Sequence, residues 1–514
     1  MHRKVILFSA LAGMLITAAA QGGTIMAKSR PKEWDLDTPL FYLSENKADA
    51  YKLVDAFRHN LVLGETGSGK SSTTSRVLLS SMARLGFGGL LTCVKVTDFQ
   101  DYLSVLRQAG REKDIIHVTL DDDIPWRINV LEYENRRSGK NVAEVLVHLV
   151  QNLLEIIERG KQGSGADPFW RQSTNKLIRY GIIVLRAAGL PISLPNLSKL
   201  AVEAPTSPAE VDDPKWRDRS FLFRCLKAGD DAAKSTTAEA RDFDQAATYY
   251  LQEHARMGDV CRGSVLATFS GAISPFLTYP LRDLYQTSTN FVPEMCENGA
   301  IIILDIPILG DNKELAQLAQ VMFKMMFFRA MERRDVQANP RGVFLLSDEH
   351  QHIYSSHDQV FLTTARAARV SCTLITQNVS NFYAILPGDK GRAETDSLFG
   401  NCGTKFMHMQ TDYISNTWAA NLIGTTRQWF QGISTALPPA VQTVFALGNT
   451  REPARITSSV NEHETHEVPM QTFHMLRSGG KRNDLNVDAV VFSGGRTWST
   501  TGRPWMITTF RQEG

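Results

Sequence analysis

The chain has 514 residues, 43% hydrophobic and 21% charged, and a net charge of +2. This composition excludes a disordered or fibrous chain and a uniformly basic nucleic-acid coat. It leaves a globular protein of two or more domains, in which any contact with nucleic acid is a local stripe or a pore lining. The six cysteines (Cys93, Cys225, Cys261, Cys296, Cys372 and Cys402) form no C-x-x-C pair and read as small buried hydrophobes in a reducing compartment.

The N-terminus, MHRKVILFSALAGMLITAAAQGG, has a basic start and sixteen apolar or small residues from Val5 to Ala20. A signal peptide has this shape. A short membrane anchor is the functional reading, although sixteen residues fall just short of the roughly twenty that span a bilayer. Translation starting at Met26 is the alternative, and Arg3 and Lys4 on one flank nearly balance Lys28, Arg30 and Lys32 on the other, which leaves the orientation open.

Residues 61–74, LVLGETGSGKSSTT, carry the spacing G-x-x-x-x-G-K-S. Gly64, Glu65, Thr66, Gly67, Ser68, Gly69, Lys70, Ser71 and Ser72 are therefore expected to bind ATP: glycines free the backbone to turn N–H groups onto phosphate, and Lys70 adds a point charge. Ser71 can give its hydroxyl to Mg2+ at the positive end of the helix read from Ser71 to Leu85 and closed by Gly86. GLLTCVKVT (89–97) and DIIHVTL (114–120) read as strands around the helix-like DYLSVLRQAG, a β-α-β rhythm that implies a parallel sheet.

From about residue 135 the rhythm changes. NVAEVLVHLVQNLLEIIERG has helical apolar spacing, with Asn141 and Glu144 set as a capping box, and DPFWRQSTNKLIRYGIIVLRAAGLP has Asp167 as N-cap and Gly189 as stop. The stretch from 200 to 290 is helix-compatible without a clear strand. Strands resume at GAIIILDIPI (299–308), GVFLLSDE (342–349), SCTLITQ (371–377) and TKFMHM (404–409), with a long helical stretch from Lys313 to about Arg334. Beyond Gly424, VDAVVFSGG and PWMITTF suggest a small β-rich C-terminal segment.

An ATPase needs a carboxylate to hold Mg2+ and a second to orient water, at the end of a buried strand next to the P-loop strand. VFLLSDE supplies both, Asp348 for the metal and Glu349 for the water, whereas Asp305, which ends IIILD, reads as a strand-end residue without direct chemistry. Gln377 ends the next strand, where its amide can bond the γ-phosphate or the water, and TTARAARVS offers Arg366 or Arg369 as an arginine finger across a subunit boundary. HQH (350–352) and HETH (463–466) lack a metal-protease spacing and read as structural; no metal besides Mg2+ is expected.

FLLSDEHQHI, TTARAARVSCTLITQNVSNFY and LFGNCGTKFMHMQTD, following a P-loop and a helical insertion, resemble the type IV coupling proteins, TraD/TraG-like conjugation ATPases of the FtsK/HerA superfamily. The resemblance covers roughly 55–425, with VPMQTFHMLRSGG similar to the family's closing segment, and PWRINVL, DPFW and CRGSV, with Arg262, similar to parts of a divergent branch. It departs where many members carry D-P-K-G-E and this chain has KVTDFQ. The resemblance implies an α/β RecA-like P-loop fold with a mostly parallel sheet and an all-α insertion domain. It gives a leader or anchor at 1–34, motor parts at 35–130 and 291–425, the insertion at 131–290, and a C-terminal segment at 426–514 that packs on the motor domain. It assigns Lys70 and Ser71 to phosphate and Mg2+, Ser71 and Asp348 to the metal, Glu349 as base, Gln377 as sensor and Arg366 as trans finger. The implied partners are DNA, single-stranded or relaxase-bound, type IV secretion components, further copies in a hexameric ring, and the bacterial inner membrane at its cytoplasmic face, or the cytoplasm if translation starts at Met26. A DNA translocase without a secretion partner and a nucleotide-gated scaffold are the rival readings.

Overall fold

The structure, a computed structural model, describes residues 34–121, 124–138, 142–159, 168–232, 236–309, 312–436 and 455–512. The apolar N-terminal run, Asn141 of the capping box and the Asp167 cap lie outside the described residues.

Strands buried at every position must be covered on both faces, the condition under which parallel sheets form. After a small antiparallel pair, β1 (Pro39–Tyr42) and β2 (Ala50–Lys52), the chain builds β3 (Asn60–Leu63), β4 (Gly88–Thr92) and β5 (Ile115–Val118). Much later come β6 (Ile301–Leu304), β7 (Val343–Ser347), β8 (Val370–Thr376) and β9 (Thr404–Met407). β3, β4 and β6 to β9 are buried at every residue. All seven of the strands from β3 to β9 run parallel in one sheet.

The β-rich C-terminal segment divides in two. β10 (Thr425–Ala436) and β11 (Arg455–His466) pair as a separate antiparallel ribbon, while β12 (Asn486–Ser493) and β13 (Trp505–Arg511) join the main sheet antiparallel, beside β9. The nine-stranded order is β13-β12-β9-β3-β8-β7-β4-β6-β5. The strand that Asp348 follows, β7, is therefore not the neighbour of the P-loop strand: β8, which Gln377 follows, lies between them. Register repairs the separation. Leu63 pairs with Thr376, Leu374 with Ser347, and Ser347 with Thr92, so the residues that follow these strands emerge along one carboxyl edge.

Helix α1 (Arg76–Leu85), opened by a wide π turn over Ser71–Ser75 and closed by Gly86 at φ 92°, follows the P-loop. α2 (Asp98–Gln108) links β4 to β5. Between β5 and β6 the described elements are helical, among them α3 (Val142–Arg159), α4 (Pro168–Ala187) and α5 (Asp259–Ile273). Short polar residues start several of these helices: Ser193, Ser207, Ser220 and Thr236 each accept a backbone N–H three residues on. Ile178, Ile182 and Leu185 give α4 a buried stripe, and α4 packs on both α3 and α5. Among the described residues one helical stretch, Asp259–Leu277, is long and apolar enough to cross a membrane; its Val265, Phe269, Ala272 and Ile273 are buried in the core.

Helix α6 (Lys313–Arg333) follows β6 and is buried almost all round, including Lys324. That ammonium donates to Asp358 Oδ1 at 2.6 Å, near the start of α7 (Ser356–Ala365). His350 bridges Asp358 Oδ2 at 2.8 Å and Ser347 Oγ at 2.9 Å, and Ser355 Oγ donates to Asp358 Oδ1 at 2.7 Å. Burial opposes the Asp358 charge, but Lys324 and His350 outweigh it and hold the carboxyl far below the usual range. This network grips the residues on either side of the Asp348–Glu349 pair.

Candidate nucleotide site

Gly67 and Gly69 take φ of 81° and 87°, a left-handed backbone that side chains resist, and a Cβ on Gly64 would lie 2.5 Å from Ser68 Oγ. Thr66 and Gly67 are exposed at the loop tip, and Glu65 folds back so that its Oε2 accepts the Thr411 N–H at 3.0 Å. Ser68 Oγ is buried and has no hydrogen-bond partner among the described residues. Ser72 Oγ accepts from Gln512 Nε2 at 2.7 Å, so the last described turn of the chain touches the loop.

Three separate segments converge on this loop. Ser71 Oγ donates to Asp348 Oδ2 at 3.2 Å, and Lys70 Nζ, on an almost fully buried side chain, lies 3.9 Å from Glu349 Oε1. Glu349 is 2% exposed and adopts φ 46°, unfavourable for a residue with a side chain and the kind of strain that collects at working sites. Gln377 Nε2 donates to its Oε1 at 3.1 Å, and Gln351 Nε2 to its Oε2 at 2.8 Å. Gln351 is itself oriented by Thr376 Oγ1, which donates to its Oε1 at 2.9 Å.

Lys95 completes the cluster from the end of β4, with Nζ 3.2 Å from Asp348 Oδ2 and 3.7 Å from Glu349 Oε1. Burial opposes its charge, but Asp348, Glu349 and Asp98 outweigh it and raise the Lys95 pKa above the ordinary lysine value. Sequence reasoning passed over Lys95, which sits in the segment read as a departure from the family, and over Gln351, which sits in a motif read as structural. The only sequence signal for either was its closeness to a strand end.

The remaining candidates lie elsewhere. Asp305 pairs with His117 Nε2 at 2.9 Å, and that ring stacks on Phe99. Arg262 is in the helical region, donating to the Met257 carbonyl at 2.8 Å and paired with Asp259. Arg366 does not share the edge with Gln377: it is exposed at the end of α7, before β8 begins, close enough to His59 at the start of β3 to disfavour its protonation. Arg369 Nη1 donates to the Pro340 carbonyl at 3.1 Å.

The loop also rests on a buried histidine. His408 Nδ1 faces the Asp488 carbonyl at 3.1 Å, which can only accept, so Nδ1 carries the proton and Nε2 accepts from Thr74 Oγ1 at 2.9 Å. Burial, reinforced by the Lys70 charge, lowers the His408 pKa to about 4, and burial does the same for His59. Both groups are neutral in the folded protein and ordinary when it unfolds. Their contribution is therefore complete above pH 6.5 and is lost as pH falls through about 4. Each accounts for about 3 kcal/mol at the acid end. Thermal unfolding should show a falling melting temperature from pH 6.5 to 4, less steep in His408→Gln; an unchanged slope in that variant would remove His408 from this role.

The family described as type IV secretory system conjugative DNA transfer matches residues 126–435, well over half of the chain. No curated protein matches the chain. Among solved structures, the bacterial conjugative coupling protein TrwBdeltaN70 in its unbound form is similar, with a TM-score of 0.56 and 15% identity over 94% of this chain and 90% of that one. The plasmid coupling protein TrwB in complex with ADP and Mg2+ gives 0.56 and 15% over 96% and 92%. TrwB with the non-hydrolysable ATP analogue ADPNP gives 0.54 and 14% over 96% and 93%. At such identities the likeness shows a shared fold, the RecA-like α/β arrangement expected from the sequence.

Proposed function

Because this chain belongs to the type IV secretory system conjugative DNA transfer family, we propose that it is an ATP-hydrolysing motor that couples DNA or nucleoprotein to a type IV secretion channel. The observation that carries this reading is the meeting of Lys70, Ser71, Asp348, Glu349 and Gln377 at one sheet edge from three distant segments.

ATP with Mg2+ fits the residues present. The unpartnered Ser68 hydroxyl, the left-handed glycines and buried Lys70 suit a phosphate chain, and the Ser71 and Asp348 oxygens are hard donors suited to Mg2+. TrwB binds ADP with Mg2+ and an ATP analogue, which supports the same ligands here. Mg2+ supplies neutralisation of the charge that develops on the phosphate oxygens. Lys70 binds the terminal phosphates. Glu349, steered by Gln351 and Gln377, orients the attacking water and takes its proton. Gln377, bonded to Glu349 and placed at the end of β8, carries the state of the site into the sheet.

In this reading residues 35–130 and 291–425 are the motor domain, 131–290 the helical insertion domain, and 426–514 the segment packed on the motor. Subunits close into a hexameric ring with Arg366 entering the neighbouring site, and residues 1–34 anchor the ring to the cytoplasmic face of the inner membrane.

Steady-state ATP hydrolysis by protein begun at Met26, measured without DNA, with single strands and with duplex, tests the reading. Stimulation by DNA is expected and should fall as salt rises, because phosphate contacts release counterions. A rate indifferent to every DNA at low salt, at concentrations where the protein is assembled, would exclude a DNA cargo.

A further inference from the structure

Lys95 is bound to the carboxylates as a cation would be. Its ammonium lies within 3.2 Å of Asp348 Oδ2, the same oxygen that accepts the Ser71 hydroxyl, and within 3.7 Å of Glu349 Oε1. The base of this side chain is pinned. Asp98, itself buried, accepts the N–H groups of both Val94 and Lys95 at 2.8 Å, and the Val94 carbonyl takes the N–H groups of Ile308 and Leu309. The side chain beyond this base is 38% exposed, so no packing encloses it. A fixed backbone with a long, partly open stem suits an ammonium that exchanges one partner for another.

An ammonium and a divalent ion at Asp348 Oδ2, which Ser71 also uses, repel each other and compete for the same negative charge. We infer that Lys95 competes with Mg2+ for Asp348, so that the metal is disfavoured on its own and enters with a polyphosphate that draws the lysine away. The inference rests on the reading of Asp348 as the metal-side carboxylate. Its physical content is charge: Lys95 and Lys70 together balance the two carboxylates, and a divalent ion gains little by approaching them while Lys95 stays in place. With phosphates present, Lys95 has oxygens of equal charge to bind, and Asp348 is released. The competing explanation is an ordinary half-exposed ion pair with no bearing on the metal, of the kind that contributes little.

The test measures Mg2+ binding by the full chain without nucleotide, by calorimetry or by the rise in melting temperature with added Mg2+. Lys95→Met keeps the length of the stem and removes the charge. It should bind Mg2+ at least tenfold more tightly than the parent, and its ADP affinity should depend less on Mg2+. Lys95→Arg keeps the charge and should stay within about threefold of the parent, as expected if electrostatic competition is the cause. Equal Mg2+ affinity in parent and Lys95→Met overturns the proposal, and so does an arginine variant that behaves like the methionine one. If Lys95→Met does not fold, Lys95→Gln takes its place with the same expected tightening, and Mg2+ affinity equal to the parent's in that variant overturns the proposal. Asp348→Asn separates this inference from the reading beneath it. If that variant keeps the parent's Mg2+ dependence of ADP binding, Asp348 is not the metal's carboxylate and both fall. If it loses the dependence while Lys95→Met changes nothing, only the Lys95 proposal falls.

Discussion

Lys70→Ala should lose nucleotide binding and hydrolysis together, whereas Glu349→Gln should bind ATP within about threefold of the parent and turn it over about 10² to 10⁴ times more slowly. The two side chains lie 3.9 Å apart, yet the substitutions remove different things. Lys70 is a nearly buried positive charge at the phosphate loop, and its loss leaves the loop's N–H groups to hold the phosphates alone. Glutamine at 349 has the shape of glutamate, so the left-handed turn and the packing around it survive. An amide cannot take a proton from water, and the positioned base is lost. Equilibrium binding of a fluorescent ATP analogue, alongside single-turnover hydrolysis, distinguishes the two. Equal losses of affinity would mean that Glu349 contributes to binding rather than to water activation, and the assignment would fail.

Arg366→Ala should bind ATP and hydrolyse it about 10³ to 10⁵ times more slowly, the range a trans arginine finger supplies. Within one subunit Arg366 cannot reach the site, because β8, seven residues long, separates it from Gln377 by about 20 Å. Only at a head-to-tail seam can it meet phosphate, and its exposure suits that contact. Mixing Arg366→Ala with Lys70→Ala protein should therefore restore turnover, because some seams then join an intact loop to an intact finger. Arg369, which is tied to the Pro340 carbonyl, is the control and should be milder. Mixed rings, verified to form, that hydrolyse no faster than the sum of their parts would show that Arg366 does not act across the interface.

The candidate site was legible where the signal was local. Glycine spacing and a lysine-serine pair mark the phosphate loop, and an acidic pair after the apolar run VFLL marks a strand end, because each depends on neighbours in the chain. Gln351 shows the limit. Its place between two histidines gave no hint that Thr376 would aim its amide at Glu349.

By itself the sequence determined the phosphate loop, the Asp348–Glu349 pair, the alternation of apolar strands with helices and the RecA-like class. All of these are written in residue types at short, regular spacings. The tertiary structure alone decided that β8 stands between the P-loop strand and the Asp348 strand, and that β12 and β13 extend the sheet beyond β9. It also decided that Lys95 meets Asp348, 253 positions away, and that Lys324 is buried against Asp358. The physical reason is that strand order and charge pairing depend on which distant segments are brought together. Many strands are equally apolar and many lysines equally charged, and only packing and backbone register select among them.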